Sequence, residues 1–138
     1  MIDVPATAMQ FPDIVRNWGG AILIGLLVVA LLAGWKTLLV SPRLARKLLA
    51  EGALVVDVRT SDEYASDHLP NVINVPFQLL VDQLPRHVID KNQAVLLHCQ
   101  TGPRAAVARQ VLKTMGYTRV YNLGSLARAR RIVNAVRR

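Results

Sequence analysis

Apolar and polar positions along residues 41–138 follow two periods, one of strands and one of helices. Two apolar runs, at 53–58 and 94–98, are apolar on both faces, which is typical of central strands in a parallel sheet. All the predicted strands lie at 53–58, 72–75, 94–98 and 119–123. Helical spacing or helix-start residues occur at 41–50, from Ser61, at 77–84, at 103–115 and from Gly124. Strands that alternate with helices pair in parallel, so the pattern predicts an α/β domain with a central parallel sheet flanked by helices.

The ends of two helices are marked by specific residues. Ser41 before Pro42 is typical of an N-cap followed by proline in the first turn, and Gly52 is placed to end the same helix. Gly116 is placed in the same way after the helix that begins near Pro103. These signals predict a helix that starts the domain and a longer one after the third strand.

A long uncharged stretch precedes the domain. Residues 17–35 contain nineteen residues without a charged side chain, in a chain that is 52% hydrophobic. A helix of about twenty apolar residues spans a bilayer, whereas a buried core helix would be amphipathic. The first sixteen residues carry two aspartates and one arginine, not the positive charge of a signal peptide. Trp18 and Trp35 lie at the two ends, as interfacial aromatics do. We therefore expect a retained transmembrane helix.

The charges beside this stretch predict its orientation. One cation, Arg16, precedes it, and four cations follow it closely: Lys36, Arg43, Arg46 and Lys47. The positive-inside rule then places the C-terminal domain in the cytoplasm, on a single-pass anchor in the inner or cell membrane. The presence of one cysteine, which has no intramolecular disulfide partner, suits a reducing compartment. The expected parts are an extracytoplasmic segment at 1–16, a transmembrane helix at 17–35, a linker at 36–40 and a domain at 41–138 with a basic C-terminal helix.

The single cysteine, Cys99, lies between the third strand and the helix near Pro103. Ligands bind at the carboxyl ends of parallel strands, and a short loop entering a helix turns backbone N–H groups toward an anion. Such donors favour a thiolate over a thiol, and Arg104 adds a cation. A lone cysteine is otherwise often a small buried hydrophobic residue. Its position beside Gly102, between a strand end and a helix start, favours a reactive thiol.

Two stretches carry the ordered motifs of a known family. They are VVDVRTSDEYASDHLPNVINVP, from Val55, and LLHCQTGPRAAVARQVLKTMGYTRVYNLGS, from Leu96. Together they resemble a rhodanese domain over roughly residues 41–126. The family's motifs correspond to Asp57 and Arg59, to Glu63 and Tyr64, to His68 and Pro70, and to the active loop Cys99, Gln100, Thr101, Gly102, Pro103 and Arg104.

The resemblance implies sulfur transfer through a persulfide on Cys99. It implies that the other five loop residues hold an anionic sulfur donor such as thiosulfate, and that neither a cofactor nor a metal takes part. Because the chain has no second cysteine, the acceptor must be an external small thiol or a protein thiol. The nature of the physiological donor and acceptor, and the oligomeric state, stay open.

Supporting roles are expected for the remaining motif residues. A buried charge needs a partner, so Asp57 and Arg59 are expected to form a structural ion-pair network with Glu63, while direct substrate contact by Arg59 stays open. His68 is expected to organise its loop through a hydrogen bond. His98 is expected to be structural, because neighbours on a strand point to opposite faces and it therefore points away from Cys99.

The chain also departs from the family's usual pattern. These differences concern the packing of the last helix more than the active loop. They are Asp67 and Asn71 where glycines are usual, Gly124-Ser125 where two glycines are usual, and a missing tryptophan near Arg128 and Arg130.

Two other functions are considered. A cysteine phosphatase also holds a thiolate in an anion-binding loop, but its arginine lies six positions after the cysteine, where this chain has Ala105. Rhodanese-like folds also serve as non-catalytic binding or regulatory modules, since fold does not fix function. The retained Cys99 favours the enzyme over the binding module.

The C-terminal segment is basic in a chain of net charge +8. No recognition motif for nucleic acid accompanies it, so specific nucleic-acid binding is not expected. We expect its apolar face to pack on the domain and its arginines to contact anionic lipid. The apolar face comprises Leu126, Ala129, Ile132, Val133 and Val136, and the arginines are Arg128, Arg130, Arg131, Arg137 and Arg138.

Overall fold

The computed structural model describes the backbone of residues 11–37 and 39–136, and the side chains of residues 18–31, 34 and 39–136. The chain divides into two compact units, Met1–Thr37 and Leu38–Arg138. The described residues of the first unit form helix α1 (Phe11–Thr37). Among the residues described, no helix combines the length and the hydropathy needed to cross a membrane. The anchor expected at 17–35 stays a prediction, and the segment at 1–10, Arg137 and Arg138 lie outside the described residues.

The described part of the second unit forms one parallel sheet of four strands. The strands are β1 (Leu54–Asp57), β2 (Ile73–Asn74), β3 (Val95–Cys99) and β4 (Val120–Ser125), in the order β2-β1-β3-β4. The two runs predicted to be central, β1 and β3, are the two inner strands of this order and pair with each other. The predicted α/β architecture with a central parallel sheet is therefore confirmed.

Helices cover both faces of the sheet. They are α2 (Pro42–Ala50), α3 (Ser61–Ser66), α4 (Leu80–His87), α5 (Pro103–Thr114) and α6 (Leu126–Val136), with a 3₁₀ turn at Phe77–Leu79 before α4. Apolar residues of α4 and α5 pack in one core cluster, which includes Cys99. Apolar residues of α2 and α6 pack in a second cluster on the opposite face. Because side chains alternate along β3, Cys99 and His98 point to opposite faces.

The helix starts follow local hydrogen bonds. Ser41 caps α2 as predicted, since its hydroxyl accepts a hydrogen bond from the Leu44 N–H at 3.3 Å. The cap of α3 is Thr60, whereas the sequence pointed to Ser61. Thr60 and Glu63 form a capping box, in which each side chain accepts a hydrogen bond from the other residue's backbone N–H. This reciprocal pair satisfies two N–H groups and thus fixes the helix start one residue earlier.

The last helix begins two residues later than the sequence predicted. Gly124 and Ser125 extend β4, where they pair with His98 and Cys99, and α6 begins at Leu126. Gly124 has a φ of +91°, and its N–H donates a hydrogen bond to the side chain of Asn122 at 2.8 Å. The apolar face of α6 packs on the domain as expected, with Leu126, Ala129, Ile132 and Val133 buried and Val136 exposed.

Candidate active site

Cys99 ends β3 at the carboxyl edge of the sheet. Its side chain has no exposed surface, and the Gly102 N–H donates a hydrogen bond to its sulfur at 2.9 Å. An N–H donor at this distance stabilises negative charge on sulfur. The loop folds back in this way because Gly102 has a φ of +118°, a conformation that favours glycine. The loop is therefore shaped to hold a charged sulfur atom.

The rest of the active loop contacts β4 and the start of α6 on its inner side, and its outer side faces solvent. The Leu126 N–H, at the start of α6, donates a hydrogen bond to the Gln100 carbonyl at 3.3 Å. A Cβ atom added at Gly102 would lie 3.7 Å from the Gly124 backbone, so β4 supports the loop closely. Gln100, Thr101 and Pro103 are exposed. The extension of β4 thus positions the active loop as well as the last helix.

The Arg59 side chain is buried beside the active loop, with 2% of its surface exposed. Its guanidinium pairs with the buried carboxylate of Asp57, the shortest contact being 2.7 Å. It also donates to the side-chain oxygen of Gln100 at 3.0 Å and to the Asp67 carbonyl at 2.6 Å. Every guanidinium nitrogen of Arg59 has a protein acceptor, so its geometry favours positioning of the loop over contact with a substrate.

Glu63 does not join the Asp57–Arg59 pair, contrary to the expectation from the sequence. Its carboxylate instead forms two hydrogen bonds with the guanidinium of Arg104, at 2.7 and 2.8 Å. The hydrogen bonds from Arg104, followed by that from the Thr60 backbone, lower the pKa of Glu63 to about 2. The same pair raises the pKa of Arg104, with a smaller contribution from the charge of Cys99.

This ion pair changes the expected role of Arg104. The sequence predicted that Arg104 supplies a cation to hold the anionic sulfur donor. In the structure, the carboxylate of Glu63 balances the charge of Arg104. The two side chains are about one-third exposed, at 35% and 34%. A bidentate pair of this exposure can open to solvent, because surface pairs contribute little stability. Since Cys99 has no exposed surface, opening of the groups around it is required before a donor can reach the sulfur.

Two residues that depart from the family pattern, Asp67 and Arg130, contact each other. Asp67, where a glycine is usual, forms an ion pair with Arg130 of α6 at 2.7 Å. Arg130 lies near the position of the missing tryptophan. The pair therefore links α6 to the loop in which the Asp67 carbonyl accepts a hydrogen bond from Arg59.

Asn71, the other replacement of glycine, has a φ of +59°. Asparagine tolerates this left-handed conformation better than most residues, which explains how it substitutes for glycine.

The two histidines near the site differ in environment. His68 lies within 2.9 Å of the Tyr64 carbonyl and stacks on the Tyr64 ring at 4.1 Å, contacts that organise its loop. His98 is fully buried on the opposite face from Cys99, 3.8 Å from the Asp57 carboxylate. Neither ring nitrogen of His98 has a hydrogen-bond partner within the described part of the chain. Burial lowers the pKa of His98, and the Asp57 charge opposes that shift.

Sequence reasoning missed one positioning residue. The Asn74 amide donates hydrogen bonds to the Asp57 carbonyl at 3.0 Å and to the Arg59 carbonyl at 2.9 Å. It thereby fixes the backbone on both sides of Val58, where β1 ends. The only available signal was an amide side chain inside an otherwise apolar strand run, VINV. Over the described residues, no group of three metal-ligating side chains converges on a common point.

Comparison with known proteins places this geometry in a family. The sequence model of the rhodanese-like domain matches residues 41–127. The chain is 35% identical over 71 residues to thiosulfate sulfurtransferase PspE of Escherichia coli, covering 51% of this chain and 68% of that protein. It is 36% identical over 82 residues to a sulfurtransferase of Allochromatium vinosum, covering 58% of this chain and 75% of that protein.

A solved structure supports the same family assignment. The structure described as a rhodanese with anions from E. coli superposes with a TM-score of 0.54 at 32% identity, covering 56% of this chain and 91% of that one. The ordered motifs, the parallel sheet and the loop around Cys99 agree with this match. The chain therefore belongs to the rhodanese-like domain family, and the two curated relatives named above are sulfurtransferases.

Proposed function

We propose that this chain is a membrane-anchored sulfurtransferase that moves sulfane sulfur from a donor such as thiosulfate to a thiol acceptor. The observation that carries the proposal is the hydrogen bond from the Gly102 N–H to the Cys99 sulfur at 2.9 Å. A thiolate is the nucleophile in sulfur chemistry, and this donor stabilises its charge. The similarity to PspE of E. coli supports thiosulfate as the donor.

The chemistry takes two steps at one sulfur atom. In the first, the Cys99 thiolate attacks the outer sulfur of thiosulfate, the S–S bond of thiosulfate breaks, and its electron pair leaves with sulfite. Cys99 then carries a persulfide whose outer sulfur is negatively charged. In the second, the acceptor thiolate attacks that outer sulfur and Cys99 leaves as a thiolate. No general base is needed when both nucleophiles are already ionised.

The surrounding residues are assigned distinct roles. Backbone donors of the loop from Gln100 to Gly102 hold the developing charge, as preorganised N–H groups hold the oxyanion in acyl-transfer enzymes. Arg104 binds the dianionic donor once its pair with Glu63 opens. Pro103 starts α5 and has no N–H to offer, so it shapes the loop without donating to the anion.

We also propose that α1 anchors the enzyme, with the domain facing the cytoplasm. The described residues hold no helix that meets both conditions for a span, so anchoring rests on the nineteen uncharged residues at 17–35. Their described apolar side chains are exposed, including Leu23 at 68% and Val29 at 63%. An exposed apolar surface of this length is unfavourable in water. The cations after it support a cytoplasmic domain.

A binding or regulatory module is the alternative function. The buried state of Cys99 favours it, because a donor cannot reach the sulfur without movement. The two functions differ in one measurable event. Treatment of the full chain with thiosulfate should add the mass of one sulfur atom to the peptide that contains Cys99, and cyanide should remove it. Mass spectrometry without such a gain would favour the binding module.

A further inference from the structure

A cleft lies between α2 and α6, on the face of the sheet opposite the Cys99 sulfur. It has a volume of about 290 Å³ and is lined by Pro42, Arg46, Arg128, Arg131 and Ile132. Three of the five lining residues are arginines. Pro42, the first residue of α2, and Ile132 add an apolar part.

Within the part of the chain that the structure describes, no carboxylate neutralises the positive charge of this cleft. No carboxylate of the described residues forms an ion pair with Arg46, Arg128 or Arg131. Four other arginines of the domain do pair with carboxylates: Arg59, Arg104, Arg119 and Arg130. The cleft therefore brings together three arginines that have no carboxylate partner among the described residues.

Arg128 is held in place although its charge is not balanced. Its guanidinium donates to the Leu123 carbonyl at 2.6 Å and to the Val40 carbonyl at 2.7 Å. Burial lowers its pKa, and the positive charge of Arg131 lowers it further. Two like charges thus lie close enough to repel each other, and a bound anion would relieve this repulsion.

We propose that this cleft binds an anion that bears a phosphate group. Arginine presents several N–H donors in a planar fork that matches phosphate oxygens, and three arginines supply enough charge for a phosphate. Fixed carbonyl contacts on Arg128 reduce the entropy lost on binding. The apolar side chains of Pro42 and Ile132 suit the carbon skeleton attached to the phosphate. This site is independent of the sulfur-transfer site and does not rest on the proposed function.

Either a phospholipid headgroup or a small phosphate compound presents this chemistry. Only four residues separate Thr37, the last residue of α1, from Pro42 in the cleft. If α1 lies in a bilayer, headgroups are therefore within reach of the chain at this point. A free phosphate needs no membrane, so the two sources are separable by experiment.

The test titrates the purified full chain in neutral detergent by calorimetry. One arm uses inorganic phosphate, and the other uses micelles containing short-chain phosphatidylglycerol, compared with micelles containing phosphatidylcholine. Saturable binding is expected in at least one arm. Binding in the phosphate arm identifies a small anion as sufficient, and binding to phosphatidylglycerol alone identifies a headgroup.

Matched variants separate the cleft from general surface charge. Arg46→Gln and Arg131→Gln should each weaken binding about tenfold, the loss expected for one charge-assisted contact. Arg43→Gln removes another exposed arginine of α2, one that does not line the cleft, and should weaken binding less than about twofold. No saturable binding in either arm, equal binding to phosphatidylcholine, or an equal loss in Arg43→Gln would overturn the proposal.

Discussion

Arg104 of the active loop and Glu63 of α3 form a bidentate ion pair, with N–O distances of 2.7 and 2.8 Å. The two residues are 41 positions apart, so the pair joins the active loop after β3 to α3, the helix that follows β1. Glu63 also caps its own helix through Thr60. One carboxylate thus fixes a helix start and neutralises the charge of Arg104 in the active loop.

Breaking the pair from the Glu63 side should improve donor binding. Glu63→Gln removes the negative charge but keeps an acceptor for the capping box, which tolerates glutamine. The released Arg104 then attracts thiosulfate. We expect KM for thiosulfate to fall about two- to fivefold, in line with the modest energy of partly exposed ion pairs. Arg104→Ala should raise the same KM about tenfold, because a dianion loses its charged partner.

Steady-state kinetics with thiosulfate and with an uncharged sulfur donor check both changes. The uncharged donor should respond less to either substitution, since it gains nothing from the cation. Asp62→Asn is the matched control, as it removes an exposed carboxylate from the same helix. A KM for thiosulfate that rises in Glu63→Gln would contradict the proposed release of Arg104.

Removal of the nucleophile should abolish sulfur transfer. Cys99→Ser replaces the thiol with a hydroxyl that is a poor nucleophile at neutral pH, while the small volume change preserves the core. Thiosulfate:cyanide transfer should fall below about a tenth of the wild-type rate, and the persulfide mass should vanish. Circular dichroism of the variant serves as the control for folding. Retention of most of the activity would exclude Cys99 as the sulfur carrier.

The fold could be predicted from the sequence because its signals are local. The two-sided apolar runs of β1 and β3, the Ser41-Pro42 start of α2 and the apolar stripe of α6 each lie within a few consecutive residues. The end of β4 was missed because Gly124 and Ser125 resemble a helix start, whereas their pairing with His98 and Cys99 comes from the sheet.

The contacts of the site could be predicted only in part. The Asp57–Arg59 pair lies within two residues and was expected. The pairing of Glu63 with Arg104, instead of with Arg59, was not expected. Such a pair joins residues far apart in the sequence, so it depends on how two segments meet at the edge of the sheet. The Asp67–Arg130 pair is of the same kind, since each residue alone is only a departure from a pattern.

The proposed membrane topology predicts a difference in labelling. Cys99 is buried, so a better probe is Ile89→Cys in a Cys99→Ser background, at a side chain that is 88% exposed. A membrane-impermeant thiol reagent should miss this cysteine in intact cells and in cells whose outer barrier is permeabilised. It should react once the inner membrane is opened, because the positive-inside rule places the domain in the cytoplasm.

The companion variant Ala6→Cys, also in Cys99→Ser, probes the opposite side. It should react as soon as the outer barrier is permeabilised. The reverse pattern of labelling would place the domain outside the cytoplasm and leave the family assignment intact. Labelling of both cysteines together only after the inner membrane opens would contradict a spanning anchor.

The buried His98 predicts that acid weakens the fold. Burial lowers its pKa below the ordinary value of 6.5, so the ring stays neutral in the folded domain while the unfolded chain binds a proton. The stability that this residue contributes is therefore present above about pH 6.5 and falls below it, by at most about 1.4 kcal/mol per pH unit. Glu63 and Asp67, whose pKa values lie below 4.5 and 3.8, lose their contributions only at lower pH.

Denaturant unfolding at several pH values between about 5 and 8 measures this dependence as a slope of the free energy of unfolding. His98→Gln should flatten the slope, because the amide does not titrate, even where it lowers stability at every pH. His87→Gln removes an exposed histidine of α4 and should leave the slope unchanged. An equal slope in wild type and His98→Gln would mean that folding does not shift the pKa of His98. A wild-type stability that falls as pH rises above about 6.5, and that no longer falls in His98→Gln, would mean that the ring is protonated in the folded domain and paired with the Asp57 carboxylate 3.8 Å away. Either result would contradict a folded domain in which burial keeps the His98 ring neutral.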